Sequence, residues 1–139
     1  MIRLLTGSTH TGKTLLAQRL LERHGAPYLS IDHLKMGLIR SGMCPLTPES
    51  TDEALTAVLW PVVREIVKTA VENGQSLTVE GCYIPFNWRE DFDASCLPHI
   101  RFLCLVFSEA YIRTRFDTIQ THANAIERRK DDSFCTMEL

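Results

Sequence analysis

The sequence has no C-x-x-C pair, no long apolar run and no excess of charge of one sign. Its five cysteines are odd in number, which argues against both a disulfide framework and a zinc site. No apolar stretch approaches the roughly 18 residues that cross a membrane. The opening residues 1–5 are too short for a signal peptide. We therefore expect a reduced, cytoplasmic protein with no membrane partner.

The charge balance is close to neutral, with 15 basic and 17 acidic residues and a net charge of −2. Such a chain has no global basic field for nucleic acid, so small molecules are the expected partners. The guanine motif N-K-x-D and the transporter-ATPase signature L-S-G-G-Q are both absent, which argues against a GTPase switch and an ABC protein. A length of 139 residues with 45% apolar content predicts one domain over residues 1–139.

What the sequence does contain is a complete G-x-x-x-x-G-K-T octapeptide between a strand-like run and a helical pattern. Its members are Gly7, Ser8, Thr9, His10, Thr11, Gly12, Lys13 and Thr14. The glycines let the backbone turn so that successive N–H groups point at a nucleotide phosphate. A cation in the first turn of a helix is disfavoured by the helix dipole, so Lys13 indicates an anion there. The Thr14 hydroxyl suits Mg²⁺.

Apolar strand-like segments alternate with helical patterns along the chain. The pattern predicts strands at about 2–5, 27–31, 77–79 and 100–107, and helices at about 13–24, 33–40, 50–73 and from 109 onward. This alternation predicts an α/β fold with three layers, α/β/α, around an open, mainly parallel sheet, for which we expect the strand order 2-3-1-4. The near-continuous apolar run of the fourth strand is typical of a strand covered on both faces.

Local signals predict where helices begin and end. Gly25 should stop the first helix, and Ser108 should cap the last. Ser50 with Glu53 forms a candidate capping box for the long helix. Pro61 should kink that helix without ending it.

Two acidic residues directly follow predicted strands. Asp32 comes after the second strand and Glu80 after the third. Open parallel sheets bind ligands beyond the carboxyl ends of their strands, so both acids and the phosphate loop are expected on one rim. The alternatives are that Asp32 caps the next helix and that Glu80 ends its strand without any chemical role.

These segments resemble the P-loop kinases of the nucleoside-monophosphate-kinase-like type, the group of adenylate kinase, shikimate kinase and chloramphenicol phosphotransferase. The resemblance rests on GSTHTGKT, SIDHLKMGLIRSG, TVEGCYIP and the arginine-containing helix after the fourth strand. The chain looks most like bacterial proteins assigned as adenylate kinase or 2-phosphoglycerate kinase. The resemblance implies an ATP-Mg²⁺-dependent phosphotransferase, with an acceptor-binding helical insert at about 33–60 and a lid-like segment at about 113–130.

The resemblance also implies roles for single residues. Lys13 would stabilise the transferring phosphoryl group with Arg113, and Arg128 would bind the nucleotide. Thr14 and Glu80 would hold Mg²⁺, although this group usually has aspartate near the position of Glu80. Asp32 would bind or deprotonate an acceptor hydroxyl. The other expected acceptor contacts are Lys35 and Arg40.

Three further alternatives stay open at this stage. A nucleoside monophosphate acceptor would not need Asp32. Proteins of this group usually continue into a fifth strand and a final helix, whereas this sequence stops at Leu139, so a nucleotide-binding module without transfer activity is an alternative. Exposure of the fourth strand would leave Phe102 and Leu105 in need of cover. A second copy would supply it, so a homodimer is one expected assembly.

Overall fold

A computed structural model describes residues 1–121, and Arg128 lies outside these residues. Within this range the chain alternates between strands and helices from its first residues onward. The strands are β1 (Ile2–Gly7), β2 (Tyr28–Ser30), β3 (Leu77–Glu80) and β4 (Ile100–Leu105), and the helices are α1 (Lys13–His24), α2 (Ile31–Arg40), α3 (Asp52–Glu72) and α4 (Glu109–Thr121). Short 3-10 turns at Trp88–Asp91 and Leu97–His99 lie between β3 and β4.

The four described strands form one parallel sheet in the order β2-β3-β1-β4, which confirms the predicted order and fold class. Glu80 pairs in register with Leu5 of β1 and with Ser30 of β2. Asp32 lies two residues beyond Ser30, and the phosphate loop leaves β1 at Gly7. Because all these strands run in the same direction, the loop and both acids lie at one rim of the sheet.

The two faces of the sheet bury different elements. Ile2, Leu4 and Val79 lie on one face in a core with Val63 and Val67 of α3. Successive side chains of a strand alternate between faces. The opposite face therefore carries Leu5, Thr78 and Glu80, which are also buried. Since α1 contacts β1, β2 and β3 on that face, helices cover the sheet on both sides.

The helix ends follow local capping chemistry. The helix α1 ends before Gly25, whose left-handed backbone lets its N–H donate to the Leu21 carbonyl at 2.8 Å, as predicted. The predicted cap of α3 at Ser50 is wrong by one residue. Thr51 accepts from the Ala54 N–H at 3.2 Å, while the Ser50 hydroxyl accepts from the Thr47 N–H in the preceding turn. The helix continues through Pro61 as expected.

The prediction that β4 is covered on both faces is wrong. The strand lies at the edge of the described sheet, and Arg101, Leu103 and Cys104 are exposed. Phe102 is half-buried because its ring stacks on Trp88 with centroids 5.7 Å apart. Ser108 caps α4 as predicted, accepting from the Tyr111 N–H at 3.1 Å.

The segment between β3 and β4 is tied down to α3. The Trp60 indole donates to one oxygen of Asp91 at 2.7 Å, and Arg64 donates to the other at 3.2 Å. Trp60 and Trp88 each form an edge-to-face contact with Phe92. These contacts hold the segment that leaves the sheet at Glu80 and carries residues 81–87 along the rim.

Candidate functional site

The phosphate loop depends on glycine at its first and sixth positions. A Cβ on Gly7 would overlap the carbonyl oxygen of Leu105 in β4, and the φ angle of Gly7 is 139°. Gly12 has open space around it, but its φ of 85° lies in the left-handed region that turns the chain into α1. Gly7 is thus required by a close approach and Gly12 by its backbone conformation.

Lys13 folds back over the loop and is only 7% exposed. Its ammonium donates to the Ser8 carbonyl at 2.7 Å, and the Thr11 hydroxyl donates to the same oxygen at 2.7 Å. Among residues 1–121 no carboxylate forms an ion pair with this ammonium. Lys13 therefore places a buried positive charge over the loop, as binding of a phosphate there requires.

Cys82 braces the start of the loop from the neighbouring strand end. Its thiol donates to the Gly7 carbonyl at 3.4 Å. Burial raises the pKa of the Cys82 thiol, and the opposing effect of the nearby Lys13 charge is smaller. The thiol thus stays protonated at neutral pH and acts as a hydrogen-bond donor.

Thr14 and Glu80 meet across the rim although they lie 66 positions apart in the sequence. The Thr14 hydroxyl donates to Oε1 of Glu80 at 3.3 Å, and Glu80 is only 2% exposed. No group of three or more His, Cys, Asp or Glu side chains suited to a metal occurs within residues 1–121. Mg²⁺ usually takes only one or two protein oxygens beside water and substrate phosphates, so a hydroxyl with one carboxylate fits this ion.

Asp32 and Lys35 form an ion pair in the first turns of α2. The ammonium of Lys35 donates to Oδ1 of Asp32 at 2.9 Å and to the hydroxyl oxygen of Tyr83 at 3.0 Å. Burial lowers the pKa of Lys35, but its hydrogen bonds to Tyr83 and Asp32 and the charge of Asp32 outweigh burial and raise that pKa above its ordinary value. Lys35 thus stays charged beside the carboxylate expected to face the acceptor.

The three expected arginines are placed differently. Arg40 is exposed at the end of α2, eight residues beyond Asp32, which is about 12 Å along a helix axis. Arg113 pairs with Glu109 of its own helix at 2.7 Å. The first half of the lid-like segment expected at 113–130 belongs to α4, whereas residues 122–130, and with them Arg128, lie outside the described residues. The roles of these arginines stay predictions.

Tyr83, like the adjacent Cys82, is a side chain at this rim that the sequence analysis did not select. It follows Glu80 by three positions in the segment TVEGCYIP and is 6% exposed. Besides receiving the hydrogen bond from Lys35, its ring lies 5.1 Å from the Lys35 ammonium, a cation–π contact. The available signal was its position next to a strand end, where open α/β sheets bind ligands.

Among the helices of the described residues, none is long and apolar enough to cross a membrane. No family model matches the chain, and no curated protein matches it.

Solved structures resemble the chain along most of its length. A gluconokinase from Sinorhizobium meliloti is 19% identical with a TM-score of 0.52, over 94% of this chain and 77% of that one. A sugar kinase from Janibacter is 16% identical with a TM-score of 0.51, over 95% and 80% of the two chains. A candidate kinase from Chloroflexus aurantiacus is 22% identical with a TM-score of 0.55, over 87% and 67%. At these identities the likeness shows the fold, which this chain shares with these three kinases.

Proposed function

We propose that this protein is an ATP-Mg²⁺-dependent phosphotransferase that moves the γ-phosphoryl group to a hydroxyl of a small molecule. The contact between Thr14 and Glu80 carries this proposal, because it joins the helix after the phosphate loop to the neighbouring strand end at 3.3 Å. Lys13 and Asp32 flank this contact on the same rim. The kinases of similar fold support the proposal at the level of the reaction class.

Phosphoryl transfer requires positioning and charge stabilisation more than covalent chemistry. The loop N–H groups would bind the β-phosphate, and the Lys13 ammonium would move from the Ser8 carbonyl to the β- and γ-oxygens. Thr14 and Glu80 would hold Mg²⁺, which when bound neutralises phosphate charge. Lys13 and Thr14 would thus serve the nucleotide and the metal.

Asp32 would serve the acceptor. Its carboxylate would take the proton from the acceptor hydroxyl as that oxygen forms a bond to the γ-phosphorus, while the bond from phosphorus to the β–γ bridging oxygen breaks and ADP leaves. A nucleoside monophosphate attacks through a phosphate oxygen that carries no proton at neutral pH, so such an acceptor needs no base. Asp32 therefore separates these two acceptor classes.

The test is Asp32→Asn, which preserves the side-chain shape and removes the base. We expect transfer to hydroxyl acceptors to fall about 10²- to 10⁴-fold, with nucleotide binding retained. Glu65→Gln is the control, because Glu65 is also in an ion pair, with Lys68 at 3.0 Å, and lies on α3 outside the segments at the rim. Unchanged transfer to a hydroxyl in Asp32→Asn would overturn the role of Asp32. Transfer to nucleoside monophosphates alone would instead select that acceptor class.

A further inference from the structure

Lys35 links the ends of two strands through a single ammonium. It lies in α2, which follows β2, and reaches Tyr83 in the segment after β3. The oxygen atoms that accept from it, Oδ1 of Asp32 and the Tyr83 hydroxyl, are 2.9 and 3.0 Å from the same nitrogen. These two oxygens are therefore less than about 6 Å apart. The three side chains form one polar cluster, which we call the Asp32–Lys35–Tyr83 cluster.

The cluster retains hydrogen-bonding capacity after its internal bonds are counted. A tyrosine hydroxyl has one proton to donate, and an ammonium has three. The Lys35 ammonium uses two of its protons, donating one to Asp32 and one to Tyr83. The Tyr83 hydroxyl accepts from Lys35, but no described residue accepts the proton of that hydroxyl. Oδ2 of Asp32 accepts no hydrogen bond from the described residues. One carboxylate oxygen and two donors thus remain for a ligand.

The charges around the cluster favour a neutral ligand. Burial raises the pKa of Tyr83, the carboxylates of Asp32 and Asp52 raise it further, and Lys35 opposes them without reversing the shift. The Tyr83 hydroxyl therefore remains a donor at neutral pH. At the Tyr83 hydroxyl the carboxylates of Asp32 and Asp52 act against the single ammonium of Lys35, so an anionic group of the acceptor placed beside Tyr83 would be repelled.

We propose that Tyr83 determines acceptor specificity: its hydroxyl, with Lys35, binds a second oxygen of an uncharged polyol whose reacting hydroxyl lies on Asp32. This inference rests on the proposed function and narrows its acceptor to one chemical class. Hydroxyls on adjacent carbons are roughly 3 Å apart, so a vicinal pair can reach the carboxylate and the tyrosine together. An acceptor with one isolated hydroxyl would leave the buried Tyr83 and Lys35 donors unpaired, which weakens binding.

The test compares wild type with Tyr83→Phe, which removes one oxygen and keeps the ring over Lys35. The probes are pentitols, hexitols and aldoses with ATP and Mg²⁺, together with monodeoxy forms of the best acceptor. In Tyr83→Phe we expect KM for the parent polyol to rise about tenfold and kcat to change little. For the deoxy form that lacks the hydroxyl next to the reacting one, KM should be the same in the variant and in the wild type. Tyr28→Phe is the matched control, because its hydroxyl donates to Gln18 of α1 at 3.2 Å and lies outside the cluster.

Three outcomes separate the hypotheses, with thermal unfolding confirming that each variant folds. Equal losses for the parent and the deoxy acceptor would overturn specificity through Tyr83, since the hydroxyl would then act only by positioning Lys35. Nucleotide hydrolysis that depends on Lys13, without transfer to any polyol, would overturn this inference and leave the phosphotransferase proposal in place. If the protein neither hydrolyses nor binds nucleotide in a way that depends on Lys13, the proposed function itself is overturned.

Discussion

Replacing Lys13 by methionine should stabilise the unliganded protein slightly while abolishing stabilisation by nucleotide. The ammonium is 7% exposed and donates to a carbonyl oxygen, not to a carboxylate, among the described residues. Loss of a hydrogen bond from a charged donor costs about 1.5–3 kcal/mol. The methylenes of Lys13 are buried in the wild type as well, so the compensating gain is the removed desolvation penalty of the ammonium, about 1–3 kcal/mol. Removing a cation from the first turn of α1 adds about 0.3–1 kcal/mol.

Because the first two contributions are of similar size and largely cancel, the dipole contribution remains, and the free energy of unfolding without ligand should be unchanged or rise by up to about 1 kcal/mol. At roughly 2.1 cal/mol/K per residue, 139 residues give an unfolding entropy of about 0.29 kcal/mol/K, so this rise corresponds to about 3 °C in Tm. Wild type with nucleotide at 100 times its Kd should gain about 2.7 kcal/mol, or about 9 °C. The variant should gain almost nothing, because the buried cation that we propose to bind the phosphates is gone.

The measurement is thermal unfolding by calorimetry, with and without a non-hydrolysable ATP analogue and Mg²⁺. Lys68→Met is the matched control, since Lys68 pairs with Glu65 on α3 away from the loop, and it should keep the full nucleotide shift. A fall of more than about 3 °C in the unliganded Lys13→Met protein would refute the energetic argument. A wild-type nucleotide shift in that variant would exclude Lys13 from phosphate binding.

Two further predictions concern the metal and the acceptor cluster. Glu80→Gln keeps a partner for the Thr14 hydroxyl but removes a buried charge, so the Mg²⁺ concentration for half-maximal nucleotide binding should rise about tenfold or more. Magnesium titration by calorimetry measures this concentration, and an unchanged value would contradict the proposed role of Glu80 in metal binding. In the native protein the pKa of Lys35 is raised above 10.5 and that of Tyr83 above 10.0. Their protonated forms therefore stabilise the folded state at lower pH, and this stability is lost as the pH rises through the native pKa values. The urea midpoint of the double variant Lys35→Met/Tyr83→Phe should therefore fall less above about pH 10 than that of wild type, and an equally steep fall would contradict the contribution of the cluster.

The rim could be predicted from the sequence because its members are marked by local signals. The glycines and Lys13 follow a strand directly, and Asp32 and Glu80 each come at the end of an apolar run. Because the carboxyl ends of parallel strands meet at one edge of the sheet, these positions can be assigned to that edge before the packing of any side chain is known. This is why the expected position of the phosphate loop, Asp32 and Glu80 at one rim follows from patterns that are each only a few residues long.

The edge strand shows where such patterns fail. An apolar run such as residues 100–107 is typical of a strand covered on both faces, but exposure depends on what lies beside the strand. In β4 the side chains of Leu103 and Cys104 are exposed, whereas Phe102 is half-buried by an aromatic contact with Trp88, which precedes it by 14 positions in an irregular segment. No periodicity in β4 encodes that contact, because its partner lies in a short 3-10 turn that no apolar pattern marks.

Tyr83 shows the same limit in the site itself. Its hydroxyl meets Lys35 only because α2 and the segment after β3 converge, and that segment is held through Asp91, which binds Trp60 and Arg64 of α3. Lys35 and Tyr83 are 48 positions apart, so no spacing in the sequence relates them. Residues at strand ends can therefore be assigned to a candidate site from topology, whereas Tyr83, the residue that we propose to select the acceptor, is positioned by the packing of an irregular segment. Specificity can then change with the loops while the phosphate-binding part of the fold stays the same.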